Sequence, residues 1–435
     1  MKKPSGSLGF FGRDDWIRTS DPTHPMRVRY QTAPHPVFEV CKDISFILYS
    51  NNFTTFYHIN KTSKMKWYFA LLGLMMLACQ HPNAQNDLTL KVPNDRPYTI
   101  EMVFDGVQNP WGMDWLPDGS MLITEKSGVL FHFKNGNATE ISGLPEVFNW
   151  GQGGLLDVAV HPDFGQNKWV YFTMATTIGG GEGGNTTLVR GQLTENRLDS
   201  IEVLYKATPN VPDGQHFGSR IAFDQKGHVF FSVGDRFHRD QYPQDINVDG
   251  GKIYRLNEDG SIPKDNPFFN TPGANKAIYS YGHRNPQGLA MHPETGVLWE
   301  HEHGPRGGDE LNIIEPGLNY GWPIITYGIN YNGTIITEQT EDPQMQQPQY
   351  YWVPSIAPCG MTFVTGDRYP QWKNQLLVGS LKFAYIEMLR LDGTKVVGRQ
   401  KIAENIGRVR NVKMGPDDIV YVGVEGEGVV RLKPL

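Results

Sequence analysis

The sequence predicts an all-β chain closed into a six-bladed β-propeller with four-stranded antiparallel blades. Three observations carry that prediction. One unit, an apolar strand, a tight Pro/Asp/Gly turn and a second strand, recurs six times between Met113 and Val422. The 48 Gly and 30 Pro among 435 residues supply turns at a density that suits many short strands and opposes long helices. A chain that is 39% hydrophobic and 12% aromatic can also bury a large core.

The six copies occupy residues 113–124, 158–172, 221–232, 289–299, 361–378 and 412–422. Their turns carry Pro117-Asp118-Gly119, His161-Pro162-Asp163, Asp224 to Gly227, His292-Pro293-Glu294, a longer stretch after Val364, and Gly415-Pro416-Asp417. Alternating apolar residues on both sides of such a turn are the mark of a β-hairpin. Pro117 and Pro416 lie 299 residues apart, so the five intervals average near 60, against roughly 40 to 50 for a minimal blade. The surplus belongs to loops inserted between hairpins, and loops at one end of a rigid scaffold are where function is expected. A β-sandwich, or a string of small β domains, would also give short strands. Neither repeats one motif along the whole chain.

The propeller is expected over residues 90–435. Residues 1–64 are rich in Lys and Arg within a chain of net charge -6 and show no sustained hydrophobic period. The stretch Asp15 to Pro22 resembles a peptide read by mistake from a transfer-RNA gene, which points to a start site placed too early; a real disordered extension is the alternative. Residues 65–84 read as a secretory signal, with Lys66 before an apolar run from Trp67 to Ala78. That run is too short for a bilayer span, which needs roughly 20 residues. Export follows, to the periplasm or to a membrane through a lipid on Cys79, with cleavage near Ala84 as the other possibility. Cys41, Cys79 and Cys359 fit neither a zinc site nor a disulfide framework, and Cys359 reads as a small buried hydrophobe. The absence of a basic stripe with interleaved aromatics excludes a nucleic-acid partner.

Four segments concentrate polar chemistry. Gly151-Gln152-Gly153-Gly154 is a flexible entry to a strand, either a plain turn or a loop that offers the Gln152 amide. His216 precedes the third hairpin and Asp235 follows it, so the hairpin brings the two within hydrogen-bond reach, the arrangement of a general base and its orienting carboxylate or of an ordinary structural histidine. The run Gly282 to Gly288 holds Arg284 and Asn285, and the loop after the fourth hairpin offers carbonyls at Gly304 and Pro305 and carboxylates at Asp309 and Glu310. Calcium takes such oxygen ligands, although an acidic surface loop has the same composition. Lys382, with Arg408 and Arg410 two apart on a strand, forms either a cationic fork for carboxylates or phosphates or a solvated strand face.

Taken together, these segments resemble the glucose/sorbosone dehydrogenase family, enzymes dependent on pyrroloquinoline quinone (PQQ), in its soluble aldose sugar dehydrogenase branch. The likeness runs from Asn109 to the C-terminus and is carried by Gly282-His-Arg-Asn-Pro-Gln-Gly288, His303-Gly-Pro-Arg-Gly-Gly-Asp-Glu-Leu-Asn312 and Asn319-Tyr-Gly-Trp-Pro323. The resemblance implies PQQ- and Ca²⁺-dependent oxidation of aldoses at C1 to lactones, with hydride transfer to the quinone and electrons passed on to an acceptor. It implies His216 as proton acceptor with Asp235 behind it. Gln152, Arg284, Asn285, Tyr331, Lys382, Arg408 and Arg410 would surround the cofactor. The carbonyls of Gly304 and Pro305 would hold its calcium, and Glu310 with Tyr320 a further one. Soluble glucose dehydrogenases of the family place an acid before the histidine where this chain has Gln215, which implies a broader aldose specificity. A calcium-dependent propeller lactonase and a non-catalytic binding propeller are the rival readings; the first has no need for Arg284, Lys382, Arg408 and Arg410 to converge, and the second leaves the His216/Asp235 pair without a purpose.

Overall fold

Each of the six sequence repeats folds into the two innermost strands of a blade. In the computed structural model, which describes residues 97–435, those residues form six four-stranded antiparallel sheets. The segments 1–64 and 65–84, with Cys41 and Cys79, lie outside the described residues.

The innermost strands, one per blade, are Pro110–Trp115, Leu155–Val160, Ile221–Phe223, Pro286–Met291, Pro358–Phe363 and Arg408–Met414. Blades one to five are each built from four consecutive strands. The sixth differs, because its outermost strand, Tyr98–Phe104, comes from the start of the described chain and pairs with the C-terminal strand Gly428–Pro434, Tyr98 opposite Pro434. Pairing the first and last strands of the described residues completes the sixth blade and covers the edge that Gly428–Pro434 would otherwise expose. The sequence repeats gave no sign of this closure, since the strand lies outside any hairpin copy.

Apolar side chains from neighbouring blades interdigitate. Leu122 and Leu130 of the first blade meet Leu155, Val158 and Phe172 of the second, all essentially without solvent exposure, and each such burial is worth roughly 1.5 to 3 kcal/mol. Five of the six inner strands carry a β-bulge where they pair with their neighbour, between Pro110 and Gly112, Leu155 and Val158, Pro286 and Gly288, Pro358 and Met361, and Val409 and Asn411. Bulges bend and re-aim the strand beside them, and here they fall at the end where each inner strand begins.

A buried arginine closes the axis. Arg220 donates from Nε to the Gln287 carbonyl at 2.8 Å, from Nη1 to the Trp111 carbonyl at 3.1 Å and to Asp157 at 3.3 Å, and from Nη2 to the Arg410 carbonyl at 2.8 Å and Cys359 Sγ at 3.4 Å. Its guanidinium also lies 4.0 Å from the centre of the Trp111 ring. Those partners come from the inner strands of the other five blades, so one planar fork ties all six together. Arg220→Met leaves Asp157 buried and unpaired. We expect denaturant unfolding to show a loss of about 3–5 kcal/mol, with Arg220→Lys costing less; equal stability of the methionine variant and the parent would remove the axis role.

Candidate active site

In an antiparallel blade the inner strand starts, the second ends, the third starts and the fourth ends at the same face of the ring. The loops before each inner strand and the turns between second and third strands therefore share one end. Gln152, His216, Arg284, Asn285, Arg408 and Arg410 lie at the starts of inner strands, while Asp235, Gly304, Pro305 and Lys382 lie in the second-to-third turns. Glu310 sits near the start of a third strand, and Tyr320 and Tyr331 in the long connection to the strand Tyr350–Trp352. Strand order thus brings the first ten and Glu310 to one end, and the long connection folds back toward it, Tyr320 stacking on His283 and Ile329 bridging Arg306.

His216 is the best-held of them. Its Nδ1 meets Asp235 Oδ1 at 2.6 Å, the reach expected from the hairpin between them. Asp235 also accepts the Phe237 amide at 2.9 Å and, at its other oxygen, the Trp322 indole N–H at 2.8 Å. The backbone N–H of His216 donates to Gln152 Oε1 at 2.8 Å. His216 has a φ of 53°, a left-handed conformation unusual for a non-glycine residue, and Gly234 opposite it has no room for a side chain, since a Cβ there would come within 2.3 Å of the His216 carbonyl. Asn285 ties the loop to the fourth blade through its Oδ1, which accepts the Gly218 amide at 3.1 Å. With Nδ1–H committed to Asp235, Nε2 is the free basic nitrogen, and it makes no hydrogen bond among the described residues.

Electrostatics favour the neutral imidazole. Burial, and then the charge of Arg284, push the His216 pKa below its ordinary 6.5 against the opposing pull of Asp235. Burial works against ionising Asp235, but the pairing with His216 outweighs it and holds that carboxyl below its usual range. This is the charge distribution of a base poised to accept a proton and a carboxylate ready to stabilise the imidazolium.

The cations are engaged to different degrees. Arg284 donates to the carbonyls of His303 at 3.0 Å and Gly304 at 2.8 Å. Arg408 and Arg410 both reach Glu425, from Nε in each case, at 2.7 and 2.8 Å. The carboxylate that the fork grips here is one of the protein's own, and the two guanidiniums pull the Glu425 pKa down to about 2 despite its burial. Two cations on one carboxylate still leave net positive charge. Lys382 is exposed, its Nζ 5.0 Å from the Phe383 ring centre, and Tyr331 is 65% exposed.

Beneath Arg284 lies an unusual set of buried acids. Glu300, Glu302 and Glu310 are all buried, and ligand atoms of His283, Glu300 and Glu302 lie within 4.8 Å of one another. Glu302 accepts the backbone amides of Arg284 and, at 3.2 Å, of Asn285. Glu300 Oε1, His283 Nδ1 and Asn312 Oδ1 have no hydrogen-bond partner. Burial, and then repulsion from Glu302, raise the pKa values of Glu300 and Glu310 well above the usual range. Tyr320 stacks on His283 at 4.6 Å, but its hydroxyl donates to the Ile313 carbonyl at 2.5 Å, so any ligand it offers would be its main-chain carbonyl. Asp309 fixes the loop above by accepting the amides of Gly304 at 2.8 Å and Ile356 at 2.7 Å.

The glucose/sorbosone dehydrogenase family profile matches residues 107–431. The chain belongs to the glucose/sorbosone dehydrogenase family. It is 40% identical over 331 residues to aldose sugar dehydrogenase YliI of Escherichia coli (strain K12), covering 74% of this chain and 89% of that protein. Among solved structures, the apo form of the soluble aldose sugar dehydrogenase from Escherichia coli superposes with a TM-score of 0.73 at 37% identity, over 77% of this chain and 98% of that one. The PQQ-bound aldose sugar dehydrogenase from Streptomyces coelicolor does so with a TM-score of 0.64 at 26% identity, over 78% and 99%. Family membership makes the chain a sugar oxidoreductase.

Several residues of this site are ones that reading the sequence missed. Glu300 and Glu302 were legible in principle, because residues two apart on a strand share a face and two acids on one face of a buried strand demand explanation. Trp322 and Glu425 gave no local signal, since their partners lie 87 and 17 residues away. Lys126, at the same end in the first blade, donates to Asn149 at 3.1 Å, and burial, then the charge of Arg410, lower its pKa.

The His216 shift has a definite sign. Its folded pKa lies below the unfolded one, so the stability held by the neutral ring is present above about pH 6.5 and is lost as pH falls through the folded pKa. An NMR titration of the ring should give a midpoint below 6.5, moving upward in Arg284→Gln. A midpoint at or above 6.5 in the parent would contradict the electrostatic account.

Proposed function

We propose that this member of the family oxidises aldoses at C1 to lactones with bound PQQ and calcium, His216 acting as general base. The observation that carries the proposal is the relay from Trp322 through Asp235 to His216, which leaves Nε2 open at the end of the propeller where the cations gather.

The residues present suit both groups. PQQ is a tricarboxylate, and Arg284, Lys382, Arg408 and Arg410, with Lys126 beside them, give this end the excess positive charge needed to bind it. Glu425 orients the Arg408 and Arg410 forks without cancelling their joint charge. Gln152, Asn285 and Tyr331 complete the proposed cofactor surroundings. Calcium takes hard oxygen donors, carbonyls included. The Gly304 carbonyl that accepts from Arg284 keeps a second lone pair for such an ion, and Pro305 adds a neighbouring carbonyl. A further calcium at Glu310 and Tyr320, with Glu300 and Glu302, would neutralise buried carboxylates that otherwise repel one another.

When bound, PQQ supplies a two-electron-accepting ortho-quinone and calcium a Lewis acid beside it. His216 Nε2 takes the proton of the anomeric hydroxyl. Asp235 keeps the ring in the required tautomer and stabilises its charged form, while Trp322 and the Phe237 amide prevent the carboxylate from turning away. Gln152 fixes the His216 backbone. Gln215, exposed at the rim, offers an amide and no carboxylate to the sugar, in keeping with broad aldose acceptance. An external acceptor takes the electrons. The signal at 65–84 would export the chain, with Cys79 as the site of any lipid anchor.

Purified protein supplied with PQQ and Ca²⁺ should reduce an artificial dye with aldoses, and should lose that activity when either addition is withheld. His216→Ala should still bind PQQ by absorbance titration but run at least about 100-fold slower, the ordinary worth of a general base. Lactone hydrolysis without quinone would instead favour a hydrolase, and an alanine variant at the parental rate would dismiss His216 as the base.

A further inference from the structure

Two large rings stand in solvent on the loops around the proposed base, Phe237 against the His216 ring and Trp150 over Gly214, two residues before His216. Trp150 is 58% exposed and Phe237 49% exposed. Scattered exposed apolar residues need no explanation, but these two are tied to the backbone that holds His216.

Phe237 has a φ of 68°, and Arg236 before it 51°, so two consecutive side-chain-bearing residues sit in the left-handed region. Backbone strain of that kind persists only where the surroundings impose it. Here the Phe237 amide donates to Asp235 Oδ1 at 2.9 Å, the oxygen that also pairs with His216. The result is a phenyl ring set edge-on to the imidazole, centroids 5.8 Å apart and planes at 71°. Trp150 is anchored differently. Its carbonyl accepts the Gly153 amide at 2.9 Å, and the next turn of that loop is fixed where the Gln152 amide donates to the Gly214 carbonyl at 2.6 Å. The indole lies so close over Gly214 that a Cβ there would come within 3.1 Å of Cδ1. The indole N–H makes no hydrogen bond among the described residues. Neither ring belongs to an apolar core cluster.

We infer that Trp150 and Phe237 form an aromatic platform that seats the C–H face of an aldopyranose ring beside His216 and makes the enzyme selective for cyclic sugars over open-chain polyols. The inference rests on the sugar-oxidising reading above and specifies how the substrate is held. An aromatic face is electron-rich and attracts the weakly positive C–H groups lining one side of a pyranose. Trp and Phe present that face at little conformational cost, having two side-chain torsions each. The indole N–H and the exposed Gln215 amide supply polar groups for the hydroxyls around the ring edge, a division of labour common in small-molecule sites. An acyclic chain offers no such face.

Saturation-transfer NMR with D-glucose and D-sorbitol on the purified protein, without added cofactor, tests this independently of turnover. Transfer to the glucose ring protons is expected to exceed that to sorbitol at least threefold. It should fall by more than half in Trp150→Leu and in Phe237→Leu, whose exposed positions spare the fold. In the reconstituted enzyme the same variants should raise KM for glucose about tenfold while kcat stays within twofold. Equal transfer to both probes, no transfer to either, or an unchanged signal in the double variant would overturn the platform. Ring-selective transfer lost in the variants, from a protein that fails to reduce dye, would leave the platform standing and reject the dehydrogenase reading instead.

Discussion

The whole arrangement depends on the ring being closed around its axis, and the group that closes it is the Arg220 guanidinium. A propeller whose blades pack only through apolar side chains can slide or breathe, because hydrophobic contact is non-directional. A planar fork with donors fixed in direction adds what apolar packing lacks. Arg220 reaches a partner on the inner strand of every other blade, and Asp157, its one acidic contact, also accepts the Ile221 amide at 3.0 Å. Breaking such a buried pair costs far more than a surface ion pair contributes. The same hexapeptide, Gln215 to Arg220, carries His216 at one end and this hub at the other, so the register of the proposed base is set by the axis of the molecule.

From that constraint the site follows by geometry. Antiparallel blades deliver their inner-strand starts and their second-to-third turns to one face, and the bulges at the beginnings of the inner strands aim the first residues of each strand. The His216–Asp235 pair and its loop are held from three other blades or connections: Gln152, from the loop before the second, accepts the His216 amide, Asn285 of the fourth accepts the Gly218 amide, and Trp322, from the connection that follows the fourth blade's third strand, donates to Asp235. Glu302 holds the backbone of Arg284 and Asn285, and Asn285 holds Gly218. The buried carboxylates are therefore linked, through two hydrogen bonds, to the loop that carries the imidazole.

Much of the fold was legible because the inner hairpins are the most regular parts of the chain. Residues 113–124 and 412–422 alternate cleanly around Pro-Asp turns and fold as read. Outer strands were not legible: Arg197–Lys206 mixes polar and apolar residues without clean alternation and is partly exposed, and its place is set by pairing with Asn185–Thr194 and not by its own pattern. The strand Tyr98–Phe104 was invisible for a related reason, since its partner is more than 300 residues away. At the site, short-range relations were readable and long-range ones were not. A hairpin's length announced the meeting of His216 with Asp235. Nothing local announced that Arg408 and Arg410 share Glu425, or that Cys359, expected as an inert buried hydrophobe, sits between the guanidiniums of Arg220 and Arg410.

The central claim is that one end of this propeller gathers a base, a cationic pocket and oxygen donors around a single cofactor position. A crystal structure of the protein grown with PQQ and calcium measures this directly. The account predicts cofactor carboxylates on Arg408, Arg410 and Lys382, a calcium at the carbonyls of Gly304 and Pro305, and His216 Nε2 facing the quinone across a gap the width of a sugar. A cofactor bound elsewhere on the ring, or an imidazole walled off from it by protein, would contradict the account.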